Sequence, residues 1–106
     1  KLLKGLELGC NGIITATCNV TASISRKVYD DFIQKKTQTV NEMLCNIRNT
    51  FDQFNLISGL HSFMSDHDEI YKNLLPPLTL LSEKDKKKLI EELNKFNFKL
   101  KSLKAA

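Results

Sequence analysis

Residues 9–20 constrain the fold of this 106-residue chain more than any other stretch. Within them, Ile13, Ile14, Thr15 and Thr17 are β-branched, and such side chains favour a strand over a helix. The glycines and asparagines around this run predict turns at its ends. A single strand leaves its own N–H and C=O groups unpaired, and the rest of the sequence contains no second strand candidate. We therefore expect this strand to pair with strands from a longer chain or from a second copy.

The residues on either side of the strand predict helices. Residues 1–8 carry leucines at helical spacing and precede Gly9, which is typical of the last turns of a helix with a glycine cap. That helix has no start signal, so we interpret the chain as truncated within an α/β unit. After the strand, capping residues at 19–23 precede an amphipathic helix of about three turns. Its apolar residues are Ile24, Val28, Phe32 and Ile33.

Three further helices are predicted in the second half of the chain. The first begins near Thr39, which has capping-box spacing to Glu42, and carries an apolar stripe that continues to Phe54. The second covers residues 55–65, where Gly59 weakens the helix or permits the close approach of another. Residues 74–81 contain two prolines and predict an extended apolar strap. Ser82 is predicted to cap the last helix, whose stripe consists of Leu89, Leu93, Phe96, Leu100 and Leu103.

Charge and cysteine content exclude several classes of protein. Residues 82–106 hold eight lysines and four acidic residues, but lysines and acids alternate along the helix, which indicates a solvated face and not a nucleic-acid site. The cysteines, Cys10, Cys18 and Cys45, have neither disulfide nor zinc-site spacing, and we expect small buried apolar residues. No run approaches the roughly 18 apolar residues of a membrane span, so we predict a cytoplasmic protein that does not contact a membrane.

No catalytic constellation stands out in the sequence. His61 and His67 lie six residues apart, beside the polar run 65–69, and cannot share a helix face, so a solvated loop is favoured over a metal site. Neighbouring carboxylates such as Asp30 and Asp31 point to different sides of a helix and cannot act as an acid/base pair. The glycines precede the strand, whereas a dinucleotide site needs them after it. We therefore predict no catalytic residue, no metal and no cofactor in this chain.

Two motifs, taken together, resemble a known enzyme superfamily. Residues 9–20 are similar to the last barrel strand of the dihydrodipicolinate synthase and N-acetylneuraminate lyase superfamily, with its pattern G-x-x-G-hydrophobic-I-[ST] and a later N-V. Residues 76–83 resemble the P-hydrophobic-x-x-L-[ST]-E signature before the last helix of these enzymes. The resemblance covers nearly the whole chain, but only the C-terminal third of a family member.

The resemblance implies a mostly α-helical fragment of a larger fold. Residues 1–36 would form the last strand and helix of a (β/α)8 barrel, and residues 37–106 a C-terminal helical domain. The implied chemistry is that of a pyruvate-dependent class I aldolase, in which a lysine forms a Schiff base with a keto acid. The partners implied are pyruvate or another keto acid, an aldehyde co-substrate and further copies in a dimer or tetramer. The family places its lysine and tyrosine upstream, so no lysine here, and neither Tyr29 nor Tyr71, takes those roles.

One residue can be assigned to the substrate site through the resemblance. Ile14 matches the last-strand residue whose backbone borders the keto-acid pocket, with Gly12, Ile13 and Thr15 as its neighbours. Barrel active sites lie at the C-terminal ends of strands, which favours residues 15–19 as the rim.

Several alternatives stay open. Dihydrodipicolinate synthases commonly carry an N-P-hydrophobic-x-x-K element where this chain has residues 55–60, with neither the proline nor the lysine. A 2-keto-3-deoxy-sugar-acid aldolase and an N-acetylneuraminate lyase are the alternatives within the superfamily. Alternatives of other classes are a helical protein-interaction module and a basic nucleic-acid binder.

Overall fold

The computed structural model describes residues 1–99. Within them the chain forms α1 (Leu2–Glu7), α2 (Cys18–Ile33), α3 (Asn41–Phe51), α4 (Leu56–Met64), a 3-10 helix (Glu69–Lys72) and α5 (Glu83–Asn94). The mostly α-helical class predicted from the sequence is confirmed for this part of the chain. The chain divides into two compact units, Lys1–Asn46 and Ile47–Ala106, and the division falls within α3.

The predicted strand at residues 9–20 is wrong for this structure. Residues 10–15 are irregular, residues 16–17 form a turn, and α2 already begins at Cys18. The β-branched side chains at residues 13–15 disfavour a helix, and these residues are indeed not helical. A strand, however, requires hydrogen bonds to a neighbouring strand. Residues 1–99 contain no segment in a strand that could supply those bonds.

The first unit is built on α1 and α2. Gly9 has φ +94°, and the amides of Gly9 and Cys10 donate to the carbonyls of Leu6 and Gly5 at 3.0 and 2.9 Å. These two bonds form a Schellman motif, so the predicted glycine cap is confirmed. Leu2, Leu6 and Val28 form the buried centre of the unit. Residues packed against this centre are Leu3, Tyr29, Phe32, Val40 and Leu44.

The second unit has an aromatic core. The Phe63 ring stacks on Phe98, with ring centroids 5.5 Å apart, and meets Phe51 edge-on at 5.8 Å. Leu89 and Leu93 of α5 are fully buried, as the predicted stripe requires. That helix, however, ends at Asn94, so the stripe does not continue along one helix to the predicted end. Leu100 and Leu103 of the stripe lie outside the described residues.

Capping and turn residues set the ends of the helices in the second unit. The side chain of Asn55 accepts from the Ser58 amide at 3.0 Å, and that of Ser82 accepts from the Asp85 amide at 3.2 Å. Residues 74–81 are not helical, as predicted, but they are not extended throughout, because they turn where the Leu78 amide donates to the Leu75 carbonyl at 3.1 Å.

Candidate functional site

Residues 10–17 contain the only substrate-site position predicted from the sequence. The Schellman motif at Gly9 ends α1, and α2 begins at Cys18. At that end the carbonyls of Thr15 and Ala16 accept the amides of Cys18 and Asn19 at 3.3 and 3.2 Å. Hydrogen bonds therefore fix both ends of the segment, which connects α1 to α2 along the chain.

The predicted site residue Ile14 lies at the most exposed point of this segment. Its side chain is fully exposed, and that of Ile13 is 40% exposed. A Cβ built at Gly12 would meet nothing within 4 Å. Thr15 is half-buried and so differs in burial from the exposed residues 12–14 before it. The four residues are adjacent in the chain, and three of them, Gly12, Ile13 and Ile14, are exposed.

A row of hydroxyl groups follows the exposed segment into α2. The Oγ1 atoms of Thr15 and Thr17 lie 3.2 Å apart, and Thr21 Oγ1 donates to the Thr17 carbonyl at 2.9 Å. Thr21 Oγ1 and Ser25 Oγ lie 3.5 Å apart, and Cys18 Sγ contacts the same Ser25 oxygen at 3.5 Å. The last two hydroxyl residues were missed from the sequence, although the spacing of four between residues 17, 21 and 25 could have indicated them.

The helix is locally distorted at this row. Thr21 has φ −123° and ψ 21°, outside helical values, and its side chain is 1% exposed. A threonine hydroxyl that donates to the carbonyl four residues earlier is a known cause of helix bending. The hydroxyl row therefore shapes the start of α2 behind the exposed segment.

The segment offers binding groups and little else chemically. Its polar groups are backbone amides and carbonyls, threonine hydroxyls and the Asn11 carboxamide. Cys10 is exposed, so the prediction that it is buried was wrong. In the part of the chain that the structure describes, no three His, Cys, Asp or Glu residues are close enough to hold a metal ion. The amide, carbonyl and hydroxyl groups of the segment can hydrogen-bond a ligand, but they are not the usual general acids or bases of enzymes.

The buried carboxylate in α2 has a structural partner. Asp31 is 3% exposed, and Lys27 Nζ lies 2.7 Å from both of its carboxylate oxygens. Its neighbour Asp30 forms an ion pair with Arg26, the residue before Lys27, and Arg26 Nε lies 3.0 Å from Asp30 Oδ1. Each acid thus pairs with the base four residues before it, and the two carboxylates do not share a proton site.

The polar loop of the second unit is tied down by side-chain contacts. His61 Nδ1 lies 2.7 Å from the Tyr71 carbonyl oxygen, while His67 is exposed. Lys86 Nζ donates to Asp66 at 2.6 Å and lies 3.4 Å from Ser65 Oγ. Lys86 and Asp66 also border a surface depression of about 450 Å³, whose lining contains both acids and lysines. These contacts fix the loop and give no convergent set of reactive groups.

Comparison with known families assigns the chain. The family model described as "Dihydrodipicolinate synthetase family" matches residues 1–96. The chain belongs to the dihydrodipicolinate synthetase family. No curated protein and no solved structure is significantly similar to it.

The family assignment confirms the resemblance inferred from the two sequence motifs. It identifies the chain as a member of a superfamily of pyruvate-dependent, aldolase-type enzymes. Both motifs lie within the matched residues. Among residues 1–99, no helix is both long and apolar enough to cross a bilayer.

Proposed function

We propose that this chain is the C-terminal part of a Schiff-base lyase or synthase. The whole enzyme would form or cleave the carbon–carbon bond between pyruvate and an aldehyde. Dihydrodipicolinate synthase is the provisional member. The observation that carries the proposal is the family match over residues 1–96, which includes both motifs. The active enzyme would use pyruvate or a related keto acid, an aldehyde co-substrate and a catalytic lysine outside this chain. We propose that it is a cytoplasmic dimer or tetramer.

We further propose that residues 1–36 complete a (β/α)8 barrel and that residues 37–106 form a C-terminal helical domain. The unpaired backbone and apolar character of residues 12–14 support this, because a barrel strand needs neighbours on both edges. Within that barrel, Ile14 would border the keto-acid pocket through its backbone. Its full exposure here is consistent with a surface that other strands cover.

The contacts of the candidate side chains support placing catalysis outside this chain. Tyr29 packs on the core of the first unit and lies under the Arg26 guanidinium at 5.1 Å. Lys27 and Lys86 are held by the carboxylates of Asp31 and Asp66. A Schiff-base lysine must instead be neutral and free to attack a carbonyl carbon.

The test is reductive trapping with pyruvate. A polypeptide that carries this chain together with its barrel is incubated with pyruvate and borohydride, and the chain of residues 1–106 is treated in parallel. We expect a covalent adduct on the longer polypeptide and none on the shorter one. If the longer polypeptide forms no adduct, the Schiff-base proposal fails.

The residue at position 60 favours a superfamily member other than dihydrodipicolinate synthase. In the N-P-hydrophobic-x-x-K element the lysine would fall at residue 60, and here Leu60 is only 8% exposed within the core of the second unit. A lysine at that depth would require a partner for its charge. This supports a 2-keto-3-deoxy-sugar-acid aldolase or an N-acetylneuraminate lyase as the alternative. Two assays distinguish dihydrodipicolinate synthase from these alternatives. The first measures condensation of pyruvate with aspartate semialdehyde, and the second measures pyruvate release from a panel of sugar-acid substrates.

A further inference from the structure

Residues 15–20 form a tight turn before the regular part of α2. The amides of Cys18, Asn19 and Val20 each donate to the carbonyl three residues earlier, at 3.3, 3.2 and 3.0 Å. The side-chain amide of Asn19 also donates to the Ala16 carbonyl, at 2.8 Å. Hydrogen bonds that span three residues are typical of a 3-10 turn and not of an α-helix. The chain therefore enters α2 through one tightly bonded turn.

A buried hydroxyl group connects this turn to the rest of the helix. Thr21 Oγ1 donates to the Thr17 carbonyl at 2.9 Å, and that carbonyl also accepts the amides of Val20 and Thr21, each at 3.0 Å. Thr21 is 1% exposed, and its non-helical φ and ψ lie between the turn and the regular helix. A hydroxyl that donates to the carbonyl four residues earlier is a known cause of helix bending. The orientation of the turn relative to α2 therefore depends on the Thr21 hydroxyl.

The turn lies where a barrel binds its substrate. In the proposed barrel it follows directly on the last strand, and barrel active sites lie at the C-terminal ends of the strands. The Oγ1 atoms of Thr15 and Thr17 lie 3.2 Å apart, so the turn also contacts the residue that follows Ile14. All of these contacts join residues between 15 and 21. A barrel that covers residues 12–14 therefore does not need to break them.

We propose that Thr21 is a positioning residue for the keto acid. Its hydroxyl fixes the Thr17 carbonyl and with it the turn, and the turn sets where the backbone of Ile14 borders the pocket. The inference rests on the proposed function and deepens it, because it requires a keto acid at this end of the barrel. A displacement of about 1 Å at an active site can lower reactivity about 100-fold. Removal of one hydroxyl leaves the other bonds of the turn, so we expect pyruvate binding to weaken about tenfold.

The test is pyruvate trapping on the polypeptide that carries this chain together with its barrel. The initial rate of adduct formation with pyruvate and cyanoborohydride is measured against pyruvate concentration, which gives a half-saturating concentration and a maximal rate. Thr21→Ala and Thr21→Val remove the hydroxyl, whereas Thr21→Ser retains it. The first two should raise the half-saturating concentration about tenfold with little change in the maximal rate. The serine variant should stay within about twofold of the parent polypeptide.

Thr37→Val is the control for the loss of a threonine hydroxyl. Thr37 is exposed in an irregular segment of the same unit, and its replacement should leave both constants unchanged. The total adduct at saturating pyruvate measures how much of each variant is folded and competent.

Three results would contradict the inference. A purely structural role of Thr21 would lower the total adduct of the alanine and valine variants and leave the half-saturating concentration unchanged. Equal effects of Thr21→Ser and Thr21→Ala would exclude the hydroxyl, because these two variants differ only in that group. Either result overturns the inference while the parent polypeptide still forms its adduct. A parent polypeptide that forms no adduct refutes the proposed function, and the inference with it.

Discussion

Phe63 in α4 and Phe98 after α5 stack on each other, with their ring planes inclined by only 13°. The chain reaches this position because Asn97 adopts φ +55° and the Phe98 amide donates back to the Leu93 carbonyl at 3.1 Å. The same Phe63 ring meets Phe51 edge-on. One side chain thus connects α3, α4 and the end of α5 in the core of the second unit.

Replacing Phe63 by alanine should therefore strongly destabilise the second unit. Phe63 is 4% exposed, and its removal leaves a cavity beside both partner rings, for a loss of about 3–5 kcal/mol in unfolding free energy. Ile57→Ala in the same helix is the control, because Ile57 is 48% exposed and should cost less than about 1 kcal/mol. Urea denaturation followed by circular dichroism measures both. Equal losses for the two variants would contradict the assigned core.

A pair of glycines tests the cap of α1. Gly9 and Gly12 both have open space where a Cβ would lie, but only Gly9 has a left-handed φ, of +94°. Gly9→Ala should therefore lower the unfolding free energy by about 1 kcal/mol through backbone strain, while Gly12→Ala should change it by less than about 0.5 kcal/mol. Denaturant titrations of the two variants, compared with the parent chain, give the difference. An equal cost at both positions would contradict the role of the left-handed φ at Gly9.

Gly59 tests how closely the helices of the second unit approach each other. A Cβ at this position would lie 3.4 Å from Phe51 Cδ1 and 3.8 Å from Leu89 Cδ2, which is ordinary contact. Gly59→Ala should thus be neutral or stabilise by up to about 1 kcal/mol, since alanine favours a helix. Gly59→Leu should overpack the same gap and destabilise by about 1–3 kcal/mol. Thermal unfolding of both variants decides, and a tolerated leucine would mean that the gap is wider than described.

The Ser62 hydroxyl anchors the segment before α5. Its Oγ accepts the Leu81 amide at 2.9 Å, and its side chain is 1% exposed. Ser62→Ala leaves that amide without its partner and should cost about 1–2 kcal/mol. The Leu81 amide should also exchange its hydrogen faster, which NMR measures. Ser23→Ala, at an exposed position in α2, is the control, and it should be neutral or slightly stabilising. Unchanged exchange at Leu81 would contradict the anchoring role.

Helix positions could be predicted from the sequence because their signals are local. The predicted caps at Gly9 and Ser82 depend on residues within one turn, and each lies where its helix ends or begins. Gly59 lies close to Phe51 and Leu89, in line with the predicted close approach of another helix, although the gap also accommodates a Cβ. The family could be recognised because its two motifs are also local runs of sequence.

The remaining features depend on partners that are distant in the chain. The strand at residues 9–20 was predicted from side-chain preference alone, while strand formation requires a second strand that residues 1–99 do not contain. Phe98 was missed because the reversal at Asn97 interrupts the helical period that connected the earlier stripe residues. The role of Ile14 stays a prediction, as does the boundary between residues 36 and 37.

The most direct measurement is the position of the pyruvate adduct after borohydride reduction, proteolysis and mass spectrometry of the polypeptide that carries both barrel and chain. The proposed function predicts one modified lysine outside residues 1–106, with every lysine of this chain unmodified. A reduced pyruvate adduct on a lysine within residues 1–106 would contradict the assignment of catalysis to the rest of the barrel.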